Sequence, residues 1–511
     1  MVALERLCVY TSMMAGPLAS YDLLIIGGGI NGVGIARDAA GRGLSVLLVE
    51  QDDLAAHTSS ASTKLIHGGL RYLEHFEFRL VREALIERGK LLGIAPHIAR
   101  PLTFVLPQSP ESRPAWMIRL GLFLYDHLGG GTALPGSRAI PLDPDGFGAA
   151  LKPSLIKGFS YVDGWVDDAR LVILNALDAR ERGAHIRTRT RFEGAQPWNG
   201  VWRAELTGAD GTSHAVDARV IVNAAGAWVD EVLAGLSRQT RPHARLVKGS
   251  HVIVPRIHAR DHAYIFQNPD GRVLFAIPYE RDFTVIGTTD VNWNGKPSNP
   301  HIDADEIAYL CAAINRWLAK PIGPTDIVHS YSGIRSLYDD GAANPSKVTR
   351  DYVLSLDHSR GPPILSIFGG KITTYRRLAE HALHRLRPIL PAIGNEWTAE
   401  APLPGGNLGR FDVFLDDVLN RWPFLALDVA ERLAHAYGRR LIAILGDADS
   451  MAALGTNYGY GLTDAEIDYL VREEWAMTAE DVMWRRSKLG LHLPPEAAAA
   501  VERRMSALVD G

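Results

Sequence analysis

The stretch Tyr21-Asp-Leu-Leu-Ile-Ile-Gly-Gly-Gly-Ile-Asn-Gly-Val-Gly34 constrains the fold more than any other part of the chain. Leu23 to Ile26 form a short apolar run, which suits a strand buried on both faces. Gly27, Gly29 and Gly32 then give Gly-x-Gly-x-x-Gly around Asn31, and Ile35 to Ala40 continue as a helix. The first glycine permits a tight turn, the second lets the backbone approach a pyrophosphate, and the third lets helix pack on strand. The helix N-terminus then faces an anion. Val46-Leu-Leu-Val49 reads as a second strand, and Glu50 ends it about 20 residues on, where a carboxylate accepts both ribose hydroxyls. A glycine-rich turn alone leaves Glu50 unexplained, so the stretch predicts a nucleotide-binding α/β unit.

Behind Glu50 runs a loop of small hydroxyl residues that includes Thr58, Ser59, Ser60 and Ser62, then Lys64 and Ile66. Such a loop suits a phosphate chain, with hydroxyls donating and Lys64 adding charge. A polar surface loop is the plain alternative, but the position directly after the ribose acid favours a ligand. A nicotinamide domain normally enters another strand–helix unit here, whereas a flavin domain carries a loop that follows its longer cofactor. Ala218 to Trp228 supply another buried strand ending in small residues, with Gly226 able to approach a dinucleotide. At Ile364 to Arg377 a strand runs into Gly369-Gly370, and Lys371 and Thr373 open a helix with a second anion-seeking N-terminus. Cofactor contacts thus come from near positions 30, 225 and 370, and predict a domain built from separated pieces.

The expected fold class is α/β: a discontinuous Rossmann-like FAD-binding domain with an inserted antiparallel-sheet substrate domain, plus an all-helical C-terminal domain. The FAD-binding domain takes 20–95, 180–240 and 330–395, and the substrate domain takes 96–179 and 241–329. Strand-rich segments between 245 and 290 carry the inserted sheet. Beyond the linker Pro402-Leu-Pro-Gly-Gly406, residues 400–511 form the helical domain. Residues 1–19 read as a disordered extension, or as a start placed upstream of Met13 or Met14. A net charge of −4 excludes nucleic acid as the main partner, since no basic excess neutralises phosphates. Cys8 and Cys311 alone make no disulfide scaffold or thiolate cluster, so no metal site is expected and a reducing compartment fits.

No apolar run reaches the roughly 20 residues that span a bilayer. Ala115 to Leu128 is apolar nearly all round, which favours burial over an interfacial role. The helix from Thr374 puts Tyr375, Leu378, Ala379, Ala382 and Leu386 on one face, with Arg376, Arg377, Arg385 and Arg387 mostly opposite. Docking on the cofactor domain and contact with an anionic membrane both account for that pattern.

Arg71, Arg335 and Lys371 lie in glycine-flanked motifs, with His67 and His251 in similar settings. Together they point to an anionic substrate, because arginine grips phosphate or carboxylate bidentately. No Ser-His-Asp arrangement is suggested, so redox chemistry belongs to a cofactor.

The chain resembles the aerobic FAD-dependent glycerol-3-phosphate dehydrogenases of bacteria. The resemblance rests on Ile26 to Ser45, on Thr58 to His75 with its His-Gly-Gly-Leu-Arg-Tyr block, and on Lys248-Gly-Ser-His251. Gly287-Thr-Thr-Asp290, Tyr331-Ser-Gly-Ile-Arg335 and Phe368-Gly-Gly-Lys-Ile-Thr-Thr-Tyr375 complete it. It extends from Tyr21 to about Leu508 and departs from the family in the extension 1–19 and in Ser336. It implies oxidation of sn-glycerol 3-phosphate to dihydroxyacetone phosphate by hydride transfer to FAD, with electrons passed to membrane ubiquinone. By matching position, Arg71, Tyr72, Arg335 and Lys371 hold the substrate, and His251 or Arg335 serves the C2 hydroxyl proton. Lys371 also stabilises the reduced flavin. A homodimer bound peripherally to the cytoplasmic face of the cell membrane is the corresponding expectation. The alternatives are an oxidase that passes electrons to oxygen, and a flavin-binding module without activity.

Overall fold

The computed structural model describes residues 18–130, 134–236, 244–339, 351–359, 361–390 and 392–509. The N-terminal extension, and with it the choice of start, lies almost wholly outside the described residues.

The apolar run of the fingerprint forms strand Ser20–Ile26 in an eight-stranded sheet, flanked in parallel by Val46–Val49 and Ser213–Asn223. Leu23, Leu24, Ile25, Leu47 and Leu48 have no exposed surface, as a parallel sheet covered on both faces requires. Helices Ile30–Gly41, Asp168–Glu181 and Tyr375–Leu386 cover one face in a single apolar core. The antiparallel extension Arg191–Trp198 and Val201–Thr207 places Trp202 in the core of the opposite face. Strand Ile364–Phe368 runs parallel to Ser213–Asn223. Gly27, Glu50, Ala224 and Gly369 therefore all emerge at the carboxyl edge of parallel strands, the crevice where this architecture takes its ligands.

The second sheet has ten strands and is mostly antiparallel; His262–Gln267 lies parallel to Ala99–Pro107. Its long strand Ala244–Pro255 pairs with Phe283–Gly287 and with His329–Tyr338. Two elements depart from the expected partition. Strand His329–Tyr338, expected from position 330 onward with the cofactor domain, pairs along Ala244–Pro255 from His329 to Tyr338. Helix Asp168–Glu181, expected with the substrate domain, is buried from Asp168 to Ala179 and packs in the cofactor-domain core. In both cases tertiary pairing outweighs position along the chain.

The C-terminal part packs helices Phe411–Arg421, Leu427–Tyr437, Asp464–Glu474 and Pro495–Val509 around Phe414, Leu433, Ile467 and Val501. It adds one small hairpin, Asn457–Gly459 with Leu462–Thr463. The domain grips helix Asp168–Glu181, where the buried Arg170 guanidinium pairs with Glu474.

Two helices carry the membrane question. In Tyr375–Leu386 the apolar face lies in the cofactor-domain core, and Arg376 is 1% exposed, paired with Glu87 at 2.6 Å and with Glu380. This corrects the membrane reading of that helix, because its apolar side is already covered by protein. Helix Ala115–Leu128 buries Ile118, Leu122 and Tyr125, yet Trp116 (66%), Leu120 (52%), Phe123 (49%) and Met117 (44%) stay exposed. Its expected burial therefore holds on one side only. Among the described residues no helix is long and apolar enough to cross a membrane.

Candidate cofactor and substrate site

The fingerprint turn fits a dinucleotide by what it lacks. Gly27 sits at φ +112°, and a Cβ there would lie 2.5 Å from the Ala224 carbonyl oxygen. A Cβ on Gly32 would lie 1.9 Å from the Gly27 carbonyl oxygen. Gly29 precedes helix Ile30–Gly41 in extended backbone, and the Ile30 amide donates to Ser59 Oγ at 3.0 Å. Gly27, Gly29, Glu50, Thr58, Ser59 and Gly226 line one cleft, with a cavity of about 270 Å³. Glu50 is buried, and it accepts from the Gly28 amide at 2.6 Å and the Asp52 amide at 2.9 Å. Burial pushes its carboxyl above the usual range, against those two amides. Asn31 donates through Nδ2 to the Gly369 carbonyl at 3.0 Å and leaves Oδ1 buried without a partner. It thereby ties the fingerprint to Gly369 and Gly370, both at positive φ. An unfilled acceptor, glycines with no room for a Cβ and a carboxylate in the cleft together fit FAD; Gly27, Gly29, Asn31, Glu50 and Gly370 are the residues that would hold it.

The hydroxyl loop departs from expectation in its second half. Ser62 Oγ donates to Asp168 at 2.7 Å, and Lys64 Nζ pairs with the same carboxylate at 2.9 Å while 4.8 Å from the Tyr331 ring centroid. Lys64 is 3% exposed, so its charge is committed to a buried pair rather than to a phosphate. Asp168 is the reason, and it arrives from a helix about 100 residues later that the loop itself does not announce. Ser60 Oγ donates to the His57 carbonyl and Thr58 Oγ1 to the Ile334 carbonyl at 2.7 Å. Ile66 is buried in a strand opposite Gly164, leaving only its backbone to the site. Thr373 Oγ1 accepts from the His67 amide at 3.2 Å.

Tyr331, His251, Gly287 and Phe275 stand opposite one another on four neighbouring strands. Directly opposed residues share a face, and this face meets the loop 58–67. His251 Nε2 bonds Thr63 Oγ1 at 3.0 Å, its ring stacks on Tyr331 at 4.8 Å, and Phe275 meets the His67 ring at 6.4 Å. Burial, then Lys64 and Arg335, hold the His251 imidazole well below the usual histidine range, so it is neutral at pH 7. Its Nδ1 is buried without a partner. Arg335 donates to Asp290 Oδ1 at 3.0 Å and to Thr288 Oγ1 at 3.4 Å, with about a third of its side chain exposed.

Lys371 Nζ lies 4.1 Å from the Tyr72 ring centroid, and burial followed by the Lys371 charge among its cationic neighbours lowers the His67 pKa. Arg71 sits beside Tyr72 in the short helix Leu70–His75. The structure places His251 within electrostatic reach of Arg335, and Lys371 over the Tyr72 ring. Sequence reasoning missed Thr63, Thr288, Asp290 and Tyr331 as individual contributors, although the motifs that contain them were noted. It also missed a buried support in which Tyr125 accepts from the Gly68 amide at 2.7 Å and donates to Asp163, itself paired with Arg88 at 2.6 Å.

Residues 22–376 match the family described as FAD dependent oxidoreductase, and 397–510 match the C-terminal domain of alpha-glycerophosphate oxidase. The chain is 53% identical to a glycerol-3-phosphate dehydrogenase of Pseudomonas aeruginosa over 94% of both chains. It is 49% identical to the aerobic glycerol-3-phosphate dehydrogenase of Escherichia coli, over 94% of this chain and 96% of that one. A D-erythritol 1-phosphate dehydrogenase of Brucella abortus is 51% identical over 94% of this chain and 97% of its own length. Among solved structures, the glycerol-3-phosphate dehydrogenase of Bacillus halodurans complexed with FAD superposes with a TM-score of 0.73 at 27% identity, covering 96% and 94% of the two chains. The crevice at the strand ends and the two matched regions agree: the chain belongs to the FAD-dependent oxidoreductases, joined to the C-terminal domain of alpha-glycerophosphate oxidase.

Proposed function

We propose that this flavoenzyme oxidises sn-glycerol 3-phosphate to dihydroxyacetone phosphate and passes the electrons to membrane ubiquinone. The observation that carries the reading is a dinucleotide crevice whose Thr58 bonds the Ile334 carbonyl, next in the chain to Arg335, and whose fingerprint Asn31 bonds the Gly369 carbonyl, close to Lys371, supported by relatives named glycerol-3-phosphate dehydrogenases at about half identity. Bound FAD supplies the two-electron acceptor for the hydride leaving C2. Arg335, Lys371 and Arg71 bind the phosphate dianion, and Tyr72 orients Lys371 by its ring face. Neutral His251 takes the C2 hydroxyl proton, with Nδ1 free of partners and Nε2 fixed by Thr63. Arginine keeps its proton in proteins, so Arg335 stabilises the developing alkoxide rather than acting as base.

The exposed ridge Trp116, Leu120 and Phe123 on helix Ala115–Leu128, together with Phe76 (79% exposed), whose ring meets Phe78, supports peripheral seating at the cytoplasmic face of a membrane. A homodimer completes the proposal. Anaerobic mixing of the holoenzyme with glycerol 3-phosphate, then with a soluble quinone, tests it. Flavin bleaching followed by reoxidation is expected, and an unbleached flavin would refute the substrate. Faster bleaching by erythritol phosphate would favour the chemistry of the Brucella relative. Stoichiometric peroxide in air with no response to quinone would make the protein an oxidase.

A further inference from the structure

We infer that the helical C-terminal domain is part of the cofactor-binding apparatus: Arg485 and Arg486 hold Asp53, and through it they fix the loop that carries Glu50. Asp53 is 2% exposed and does not line the cleft, whereas Glu50, Gln51, Ala55 and Ala56 around it do. Its Oδ2 accepts from Arg485 Nε at 2.6 Å, and both its oxygens accept from the Arg486 fork, one of them at 2.9 Å. A bidentate arginine–carboxylate pair fixes orientation as well as distance.

The grip has a second arm. Arg485 also pairs with Asp481, which accepts from Arg189 Nη2 at 2.6 Å. The Arg189 amide donates to the Asp52 carbonyl at 2.8 Å, and the Thr190 amide donates to the Glu50 carbonyl at 2.7 Å. The segment just after Glu50 is thus tied to the turn Asp481–Arg486, directly at Asp53 and through Arg189 at Asp52. Arg486 reaches on to the Glu474 carbonyl at 3.2 Å, at the end of the helix whose carboxylate holds Arg170. Beyond the short run of backbone from Glu50 to Asp53, the connection to the body of the C-terminal domain consists of hydrogen bonds and ion pairs.

Asp53, Arg485 and Arg486 are therefore positioning residues, and cofactor retention is the property they set. The inference rests on FAD lying along the Gly27–Glu50 cleft. The test follows FAD release from full-length holoenzyme on dilution, by the fluorescence of the freed flavin. Arg486→Met and Asp53→Asn are expected to weaken retention about tenfold or more, the scale on which outer partners tune a binding group at metal sites. KM for glycerol 3-phosphate stays unchanged once flavin is saturating. Arg432→Met serves as the control, because it breaks the buried Arg432–Glu466 pair (2.7 Å) inside the same domain without touching the loop. A melting temperature lowered as in that control, with wild-type FAD retention, would reduce Arg486 to domain adhesive and overturn the inference. Where Arg486→Met does not fold, Asp53→Asn reads the same contact from the other side and decides alone. A Gly32→Ala chain that holds FAD as tightly as wild type would instead overturn the cleft assignment.

Discussion

Arg335 stands where a strand of the second sheet approaches the loop 58–67, held by Asp290 and open on one side to solvent. That setting gives a fixed cation with room for a ligand. Arg335→Ala is expected to lower kcat/KM by about 10²–10³-fold, read by dye reduction with glycerol 3-phosphate; a change within twofold would remove Arg335 from the site. His251 makes a different demand. Its pKa is depressed by burial and by the Lys64 and Arg335 charges, so the ring stays neutral, and able to accept a proton, well into the acid range. The acid limb of kcat/KM is therefore expected below the usual histidine value of about 6.5. His251→Asn removes that limb and about 10²–10⁴-fold of rate. An unchanged limb in the variant would assign the base elsewhere.

Elements decide what these side chains can reach. The fingerprint helix approaches its strand only because Gly32 has no Cβ, and Gly32→Ala places a methyl 1.9 Å from the Gly27 carbonyl. The expected product is protein purified without a flavin absorbance band; a normal band would overturn the assignment of FAD to this cleft. The two amphipathic helices separate just as clearly. Charge reversal at Arg376 strands Glu87 and Glu380 in the core, a loss of about 3–5 kcal/mol for a broken buried pair, so its effect appears in the melting temperature. Trp116→Ser with Phe123→Ser touches exposed side chains alone, and is expected to reduce sedimentation with anionic vesicles while leaving melting nearly unchanged. Vesicle binding equal to wild type would clear that ridge of a membrane role.

At the scale of the whole molecule, the seam between catalytic and C-terminal domains is expected to weaken in acid. His97 is 1% exposed there, pushed down to about 3 by burial, then by Arg170 and His435, and its carbonyl accepts from His435 Nδ1 at 2.6 Å. The unfolded chain takes up a proton near pH 6.5 that the folded chain refuses. Stability is thus complete above that value and falls as pH drops from about 6.5 towards 3, by up to about 1.4 kcal/mol per pH unit for this group. Calorimetry between about pH 7.5 and 5.5 should show a falling melting temperature, with a shallower slope in His97→Gln; equal slopes would place the sensitivity elsewhere. None of this was legible in the chain, because burial of a histidine is not a local property. The nucleotide fingerprint was legible: a buried strand, glycines that exclude a Cβ and a terminal acid are short-range requirements, written within about 30 residues of one another; the hydroxyl loop was not, because Asp168 takes Ser62 and Lys64. The substrate-side motifs were visible too, but what each cation does was not. Lys64 carries the same charge as Lys371, yet one is closed into a buried pair with Asp168 and the other lies over Tyr72. Likewise Tyr375–Leu386 and Ala115–Leu128 both present apolar surface in sequence, and only packing covers the first and leaves one side of the second bare. The sequence by itself determined the nucleotide unit, because backbone sterics and strand periodicity act between near neighbours. The tertiary structure alone decided which charges are spent inside the protein and which remain for a ligand, because burial and ion pairing depend on residues hundreds of positions away.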